Sequence, residues 1–372
     1  MDRQWVVGTP PHIHSDESTA RIMWRVVLAL APAGAWSVWW FGPAVLWVIG
    51  LSVGVSVAME ALIQRLSGKP VTIADGSAVV TGLLLAYVLP PNGVVPATAG
   101  APAQLTLLPW YVPVTAAAMA IGVAKHCFGG LGQNIWNPAL VGRAFAQVCF
   151  PDAVTLPMWP AGDFFGGGGQ AVTQATALAK HPAAPHIYSL TDLFLGRCGG
   201  CIGEVSALLL LIGGIYLILR KYVDWRLVSA YLLTVFLLVM ILPAEEGTFW
   251  AESPESWMSR QAQARVAPAA AGDAAAAVGR VVARPKLDLA FYHLFAGGVM
   301  LGALFMATDM VTSPLTRKGQ VIFGIGCGAL TALLRFYSGM PEGVCYSILL
   351  MNTACPLIDR YTRPRVFGER RK

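Results

Sequence analysis

Charge is what this sequence has least of. Only 12% of its 372 residues are Asp, Glu, Lys or Arg, against 56% hydrophobic and a mean hydropathy of +0.59. Soluble domains carry about 25% charged residues, so the composition points to a polytopic membrane protein. Met1 to Ala20 also lacks an apolar run, being broken by Asp2, Arg3, His12, His14, Asp16 and Glu17. No cleavable signal peptide is expected, and the first helix must direct insertion.

Seven cysteines are present, but only Cys198 and Cys201 in "CGGC" have ligand-like spacing. A structural zinc or an iron–sulfur cluster normally takes four ligands, and no second pair lies nearby. The pair reads as a disulfide on an oxidising face or, more ordinarily, as small residues opening a helix. His12 and His14 in "PHIHS" lack carboxylate or thiolate company and read as a polar segment touching a neighbour, so no metal site is expected. No Walker motif, Ser/His/Asp set or dinucleotide fingerprint occurs, and "GGGGQ" lacks the strand and helix of a phosphate cradle. Binding of NADH or ATP in the usual modes is therefore not expected. The net charge of +6 is spread over short loops without interleaved aromatics, which gives no nucleic-acid surface.

What the chain has in abundance is apolar runs. A spanning helix needs about 20 apolar residues, fewer where it is broken, and about ten segments qualify. They are 22–40, 43–63, 74–89, 110–124, 135–150, 202–219, 227–242, 289–308, 321–337 and 344–358. With a cytoplasmic amino terminus, seventeen of the 26 Lys and Arg residues fall on the cytoplasmic side. Seven fall outside, five of them in the long loop 243–288, and long loops translocate with little regard to charge. Both termini are then cytoplasmic, and the positive total follows from topology.

Two stretches repeat one plan. "DGSAVVTGLLLAYVLPPNG" leads to "GGLGQNIWNPALVGRAF", and "GGVMLGALFMATDMVTSP" leads to "EGVCYSILLMNTACPLIDR". Each copy reads as a short glycine-containing helix ending near proline, then an Asn-(Pro/Thr)-Ala turn and another short helix. Five spans per copy is odd, so the copies would be inverted in the membrane. The expected fold is all-α: two inverted five-helix repeats with broken helices, whose free backbone groups must face a cofactor, an ion, water or protein. The expected organisation is a cytoplasmic segment 1–21, a first membrane repeat 22–150, an outward loop 151–201, a second repeat 202–359 carrying an outward insertion at 243–288, and a basic tail 360–372. The Ala-rich insertion reads equally as a partly helical element or as a spacer.

Charges inside or at the ends of spans are functional candidates by default. Glu60, Arg143, Glu204, Asp309, Arg335 and Asp359 qualify, and the free backbone expected at the breaks adds Asn134 and Asn137. Arg143, about two turns into its helix, has three roles open to it: pairing with a carboxylate, capping broken-helix carbonyls, or holding an electron-rich ring. Glu204, Asp309 and Asp359 are candidates for an ion path. Between the spans, the outward loop holds "TQAT" after "GDFFGGGGQ", with Thr173 and Thr176 among small residues.

Four blocks, "PHIHSDESTARIMWRVVLALAP", "DGSAVVTGLLLAYVLPP", "KHCFGGLGQNIWNPALVGRAFAQVCFP" and "YSILLMNTACPLIDRYTRPRVFG", resemble the RnfD family of the Rnf electron-transport complex. The NqrB family of sodium-pumping NADH:quinone reductases is a more distant likeness. The resemblance implies an integral subunit of a bacterial inner membrane carrying covalent FMN, joined by a phosphoester to the last threonine of a Ser/Thr-x-Ala-Thr motif. Here that is Thr176; Ala171, Thr173 and Gln174 depart from the stricter Asp-x-Ser-Gly-Ala-Thr form. The resemblance further implies a second, non-covalent flavin such as riboflavin, a flavin transferase acting on the outward loop, and neighbouring subunits. Those include an outward flavin-bearing subunit and iron–sulfur membrane subunits, in a complex that moves Na+ or H+. A covalent tether keeps a carrier at high local concentration on an exposed face, and Gly and Ala around the threonine leave it open to the transferase. The expectation is an electron-relaying subunit of a redox-driven ion translocase with no complete catalytic cycle of its own. A B-type subunit of a quinone reductase is the near alternative, and a non-redox channel or secondary transporter of the same architecture the distant one.

Overall fold

The computed structural model describes residues 17–95, 104–155, 189–242, 286–338 and 343–363. Helix α1 (Thr19–Phe41) begins where the Ser18 side chain accepts from Arg21 N–H at 3.3 Å. It turns at Gly42 into α2 (Ala44–Leu66), so the start of α1 and the end of α2 share one face of the bundle, here the near face. A 3-10 turn (Ile73–Asp75) leads into α3 (Ser77–Tyr87). An antiparallel ribbon of β1 (Asn92–Val95) and β2 (Gln104–Leu107) follows. It is a small exception to the all-α expectation. Next comes α4 (Tyr111–Ala118), which widens without a break into a π-helix at Met119–His126. Helix α5 (Pro138–Cys149) and short helices α6 (Pro151–Thr155) and α7 (Leu190–Leu195) bound the far face.

The second half runs through α8 (Ala207–Leu219), α9 (Trp225–Ile241), α10 (Lys286–Phe295), α11 (Val299–Leu301), α12 (Arg317–Tyr337) and α13 (Val344–Thr362). Helix α11 widens into a second π-helix at Gly302–Met306. Three described helices, α1, α2 and α12, are long and apolar enough to cross a membrane alone. Helix α10 and the stretch Val299–Met306, α11 with its π-helix, together make a fourth, bent by 64° at their break. The stretch read from the sequence as one apolar segment, 289–308, is therefore broken at residues 296–298.

Asn352 corrects the expectation of a second Asn-containing turn. It lies inside the continuous α13, 1% exposed. With its amide oriented to satisfy both ends, it donates to Ile348 C=O at 3.3 Å and accepts from Asn137 N–H at 3.1 Å. A side chain that satisfies one of its own helix's carbonyls needs no break there.

Glycine sets the helix spacing at several crossings. A Cβ on Gly82 would lie 2.6 Å from Val53 Cα, and one on Gly324 would lie 2.6 Å from Leu227 C=O. The α2–α3 and α9–α12 contacts are therefore backbone against backbone. Lipid offers no hydrophobic drive for helix association, so close packing of this kind carries it. Tryptophans tie α1 to the α7–α8 linker: Trp36 donates to Gly196 C=O at 2.9 Å and Trp40 to Cys198 C=O at 3.1 Å.

Candidate functional site

A cavity with about 100 Å3 of water-accessible space opens at the near end of the bundle. It lies where the start of α1, the start of α3, the α4–α5 linker and the end of the second π-helix converge. Val26, Val80, Leu84 and Phe305 give it apolar walls, and Ser77, Lys125, Asn134, Asn137, Thr308 and Asp309 give it polar groups. A few convergent polar groups in a mostly apolar cleft are what a small-molecule site requires. That space is several times the roughly 10–15 Å3 a single water needs, so the cavity admits more than one water or ion.

Asn137 is held from both halves of the chain. As N-cap of α5 its Oδ1 accepts from Ala139 N–H at 3.1 Å and more weakly from Leu140 N–H at 3.4 Å. Its Nδ2 donates to Met306 C=O at 3.1 Å. That carbonyl ends a π-helix, where the normal ladder leaves oxygens unpaired. Asn134 donates to Trp136 C=O at 3.1 Å, and Trp136 Nε1 reaches Thr353 Oγ1 at 2.8 Å. The linker is therefore pinned to the second half at Trp136 and Asn137.

Asp309 faces Asn134 across the cavity. It accepts from Thr312 Oγ1 at 3.2 Å. Enclosure by protein pushes its carboxyl above the ordinary carboxylate range, opposed by the Val311 N–H, the Thr312 hydroxyl, the Asn134 side chain and the Lys125 charge. Lys125, 2% exposed, donates to Glu60 Oε1 at 2.9 Å, Glu60 Oε2 at 2.7 Å and Ser77 Oγ at 2.8 Å. Ser77 passes the chain on to Asp75 Oδ1 at 2.8 Å. In the sequence Lys125 is only one of the seventeen basic residues assigned to the cytoplasmic side. A signal was available: Ser52, Ser56, Glu60 and Gln64, all buried, form a period-four polar column on the otherwise apolar α2.

The remaining sequence candidates lie apart from this cavity. Arg143 is buried in α5, within electrostatic reach of Tyr346. Glu204 sits near the far face in the turn after Cys201, where it accepts from Cys201 N–H at 3.4 Å. A Cβ on Gly298, at the α10–α11 break, would lie 3.1 Å from Glu204 Oε1, so that carboxylate fills the space a side chain would need. Asp359 accepts from Leu315 N–H at 3.1 Å and holds the loop before α12 against α13. Arg335 takes the carbonyl-capping role that Arg143 had as one option: it donates to His293 C=O and, at 2.9 Å, to Ala296 C=O, at the end of α10. Cys198 and Cys201 are buried free thiols. Thr173, Thr176, His12 and His14 lie outside the described residues.

A helical bundle with a bent, broken span and asparagines drawn from one half onto the backbone of the other is a multi-pass membrane protein. The chain belongs to the NQR2, RnfD, RnfE family, whose model matches residues 6–368. It is 41% identical to the D component of the Na(+)-translocating ferredoxin:NAD(+) oxidoreductase complex of Acetobacterium woodii, over 97% of this chain and 95% of that protein. It is 39% identical to the D component of the proton-translocating ferredoxin:NAD(+) oxidoreductase complex of Clostridium ljungdahlii, over 99% of this chain and 97% of the relative. A third relative, the D component of the ion-translocating oxidoreductase complex of Stutzerimonas stutzeri, is 35% identical over 94% of this chain and 92% of its own length. These relatives are subunits of ion-translocating oxidoreductase complexes.

Proposed function

We propose that the chain is the RnfD component of an Rnf-type ion-translocating oxidoreductase complex, relaying electrons across the bacterial inner membrane in step with Na+ or H+ movement. The observation that carries this reading is near-full-length similarity to two such components, one named for sodium and one for protons. The ion is left open by that pair of names. In this reading the near face is cytoplasmic, the chain crosses the membrane ten times as two inverted five-span repeats, and the loop bearing Thr176 faces outward.

Thr176 carries FMN through a phosphoester, placed there by a flavin transferase. A second, non-covalent flavin occupies the near-face cavity, and the residues present fit one. Apolar walls from Val26, Val80, Leu84 and Phe305 would take its ring faces, and the Asn134, Asn137 and Asp309 side chains would take its polar edge. When bound, such a group supplies reversible one- and two-electron chemistry that no amino-acid side chain here offers. The chain's own residues orient it, close it off from lipid and set the charge around it. Two carriers are expected because the hydrocarbon core is about 30 Å thick. Other Rnf subunits, an outward flavoprotein and iron–sulfur membrane subunits among them, would supply and drain the electrons.

The test is a denaturing gel under ultraviolet light. Chain expressed with the transferase is expected to fluoresce and Thr176→Val to be dark. A dark wild-type band would favour a non-redox channel or transporter.

A further inference from the structure

One group beside the cavity has no part in holding a flavin. His126 follows Lys125 at the near end of the π-helix, two residues beyond the apolar span 110–124. Its Nε2 is shielded from solvent, has no hydrogen-bond partner, and lies 4.0 Å from Glu60 Oε1. The His126 side chain is 10% exposed, against 2% for Lys125 and 1% for Glu60. Of the three, His126 is the one in touch with water. Glu60 is held by the Lys125 ammonium and by Gln64 Nε2 at 3.3 Å. Lys125 is the one member of the three that also lines the cavity.

A buried carboxylate that loses its only cation is left as an uncompensated charge, which is strongly unfavourable. Any negative charge arriving in the cavity attracts the Lys125 ammonium away from Glu60, and a replacement cation must then appear beside the carboxylate. We propose that His126 is that replacement: a proton-binding site whose ring takes up one proton from near-face water at its exposed edge and pairs through Nε2–H with Glu60 as Lys125 turns toward the cavity. The balance is one proton in for one negative charge gained, with no bond to carbon made or broken. The charged groups acting on His126 are Glu60 from α2, Lys69 from the loop after α2, and Lys125 on its own helix. Burial, the largest influence, and with it the two lysines outweigh Glu60 and hold the imidazole below its ordinary range while Lys125 stays in place. Moving Lys125 away takes one of the lowering influences from the imidazole and leaves Glu60 without its cation. The coupling to the cavity rests on the reading that the cavity takes an electron-accepting ring.

The experiment is C2-hydrogen exchange of histidine, read by mass spectrometry across a pH series on the purified complex. It reports the titration midpoint of His126 separately from the other histidines. Wild-type His126 is expected to titrate below a free histidine, and Lys125→Gln to raise the midpoint by about one pH unit, a tenfold change in proton affinity. Glu60→Gln/Lys125→Gln is expected to remove that rise. Identical midpoints in wild type and Lys125→Gln, or a rise that survives in the double variant, would overturn the proposal. A second arm needs no variant: wild-type complex held reduced with dithionite is expected to show a raised midpoint relative to oxidised complex. A rise in Lys125→Gln with none on reduction supports the His126–Glu60 site and overturns its link to the cavity. Non-covalent flavin extracted by denaturation from the same preparation and measured by fluorescence keeps that failure distinct from failure of the cavity's flavin assignment.

Discussion

The Asn137 side chain donates to the Met306 carbonyl at 3.1 Å, across 169 residues of sequence. One side chain thus starts α5 and terminates the second π-helix, and the cavity lies where the two halves are stitched together.

Removing that stitch has two separable effects. Asn137→Ala loses an N-cap, worth about 0.5–2 kcal/mol, and strands the Met306 carbonyl inside the bundle. Thermal unfolding of the detergent-solubilised complex is expected to show destabilisation in that range. Non-covalent flavin, extracted by denaturation and measured by fluorescence, is expected to fall while covalent flavin stays. Asn137→Ser, which keeps a capping oxygen, should restore most of the stability but not the reach to Met306.

Lys125 and Glu60 form a buried ion pair at 2.7 Å. Breaking such a pair from one side costs about 3–5 kcal/mol, whereas replacing both partners by uncharged groups is far milder. Lys125→Met is therefore expected to lower the unfolding temperature more than Glu60→Gln/Lys125→Met does. Equal losses in the single and double variants would show that packing, not charge, dominates there.

Asp309 gives a pH dependence with a definite sign. Its carboxyl is raised in the folded chain above the ordinary 3.8, so the folded state binds this proton more tightly than the unfolded state. The stability it contributes is complete below 3.8 and is lost as pH rises through the folded value. Asp309→Asn is expected to flatten that part of the stability–pH curve. Unfolding temperatures recorded from pH 4 to 7 for both forms are the check.

Gly82 lies against α2 with no room for a methyl group. Gly82→Ala must push α3 from α2, at about 1–3 kcal/mol for an overpacked contact. Because α3 supplies Ser77, Val80, Thr81 and Leu84 to the cavity, loss of non-covalent flavin should accompany the loss of stability.

Much of this architecture was legible in the sequence because apolar run length is a strong signal. The span read at 344–358 is the helix Val344–Thr362, and the one at 22–40 is Thr19–Phe41. The break in the second half was legible in kind but not in place. Asn352 sits in a sequence like that around Asn137, yet Pro138 follows Asn137 and fixes a helix start, whereas Thr353 follows Asn352 and lets the helix continue. Asn134, Asn137 and Asp309 were legible as polar groups near breaks, and they do meet. Glu60–Lys125 was not, because two charges 65 residues apart become partners only once α2 and the π-helix pack side by side. Arg335 was legible as a charge near a span's end, but not the carbonyls at the α10–α11 break that it caps.

The most direct measurement is mass spectrometry of the native peptide containing Thr176 from active complex. The account predicts that threonine carrying the mass of FMN less one water, with fragment ions placing it on the hydroxyl. Unmodified Thr176 throughout a fully active complex would contradict it.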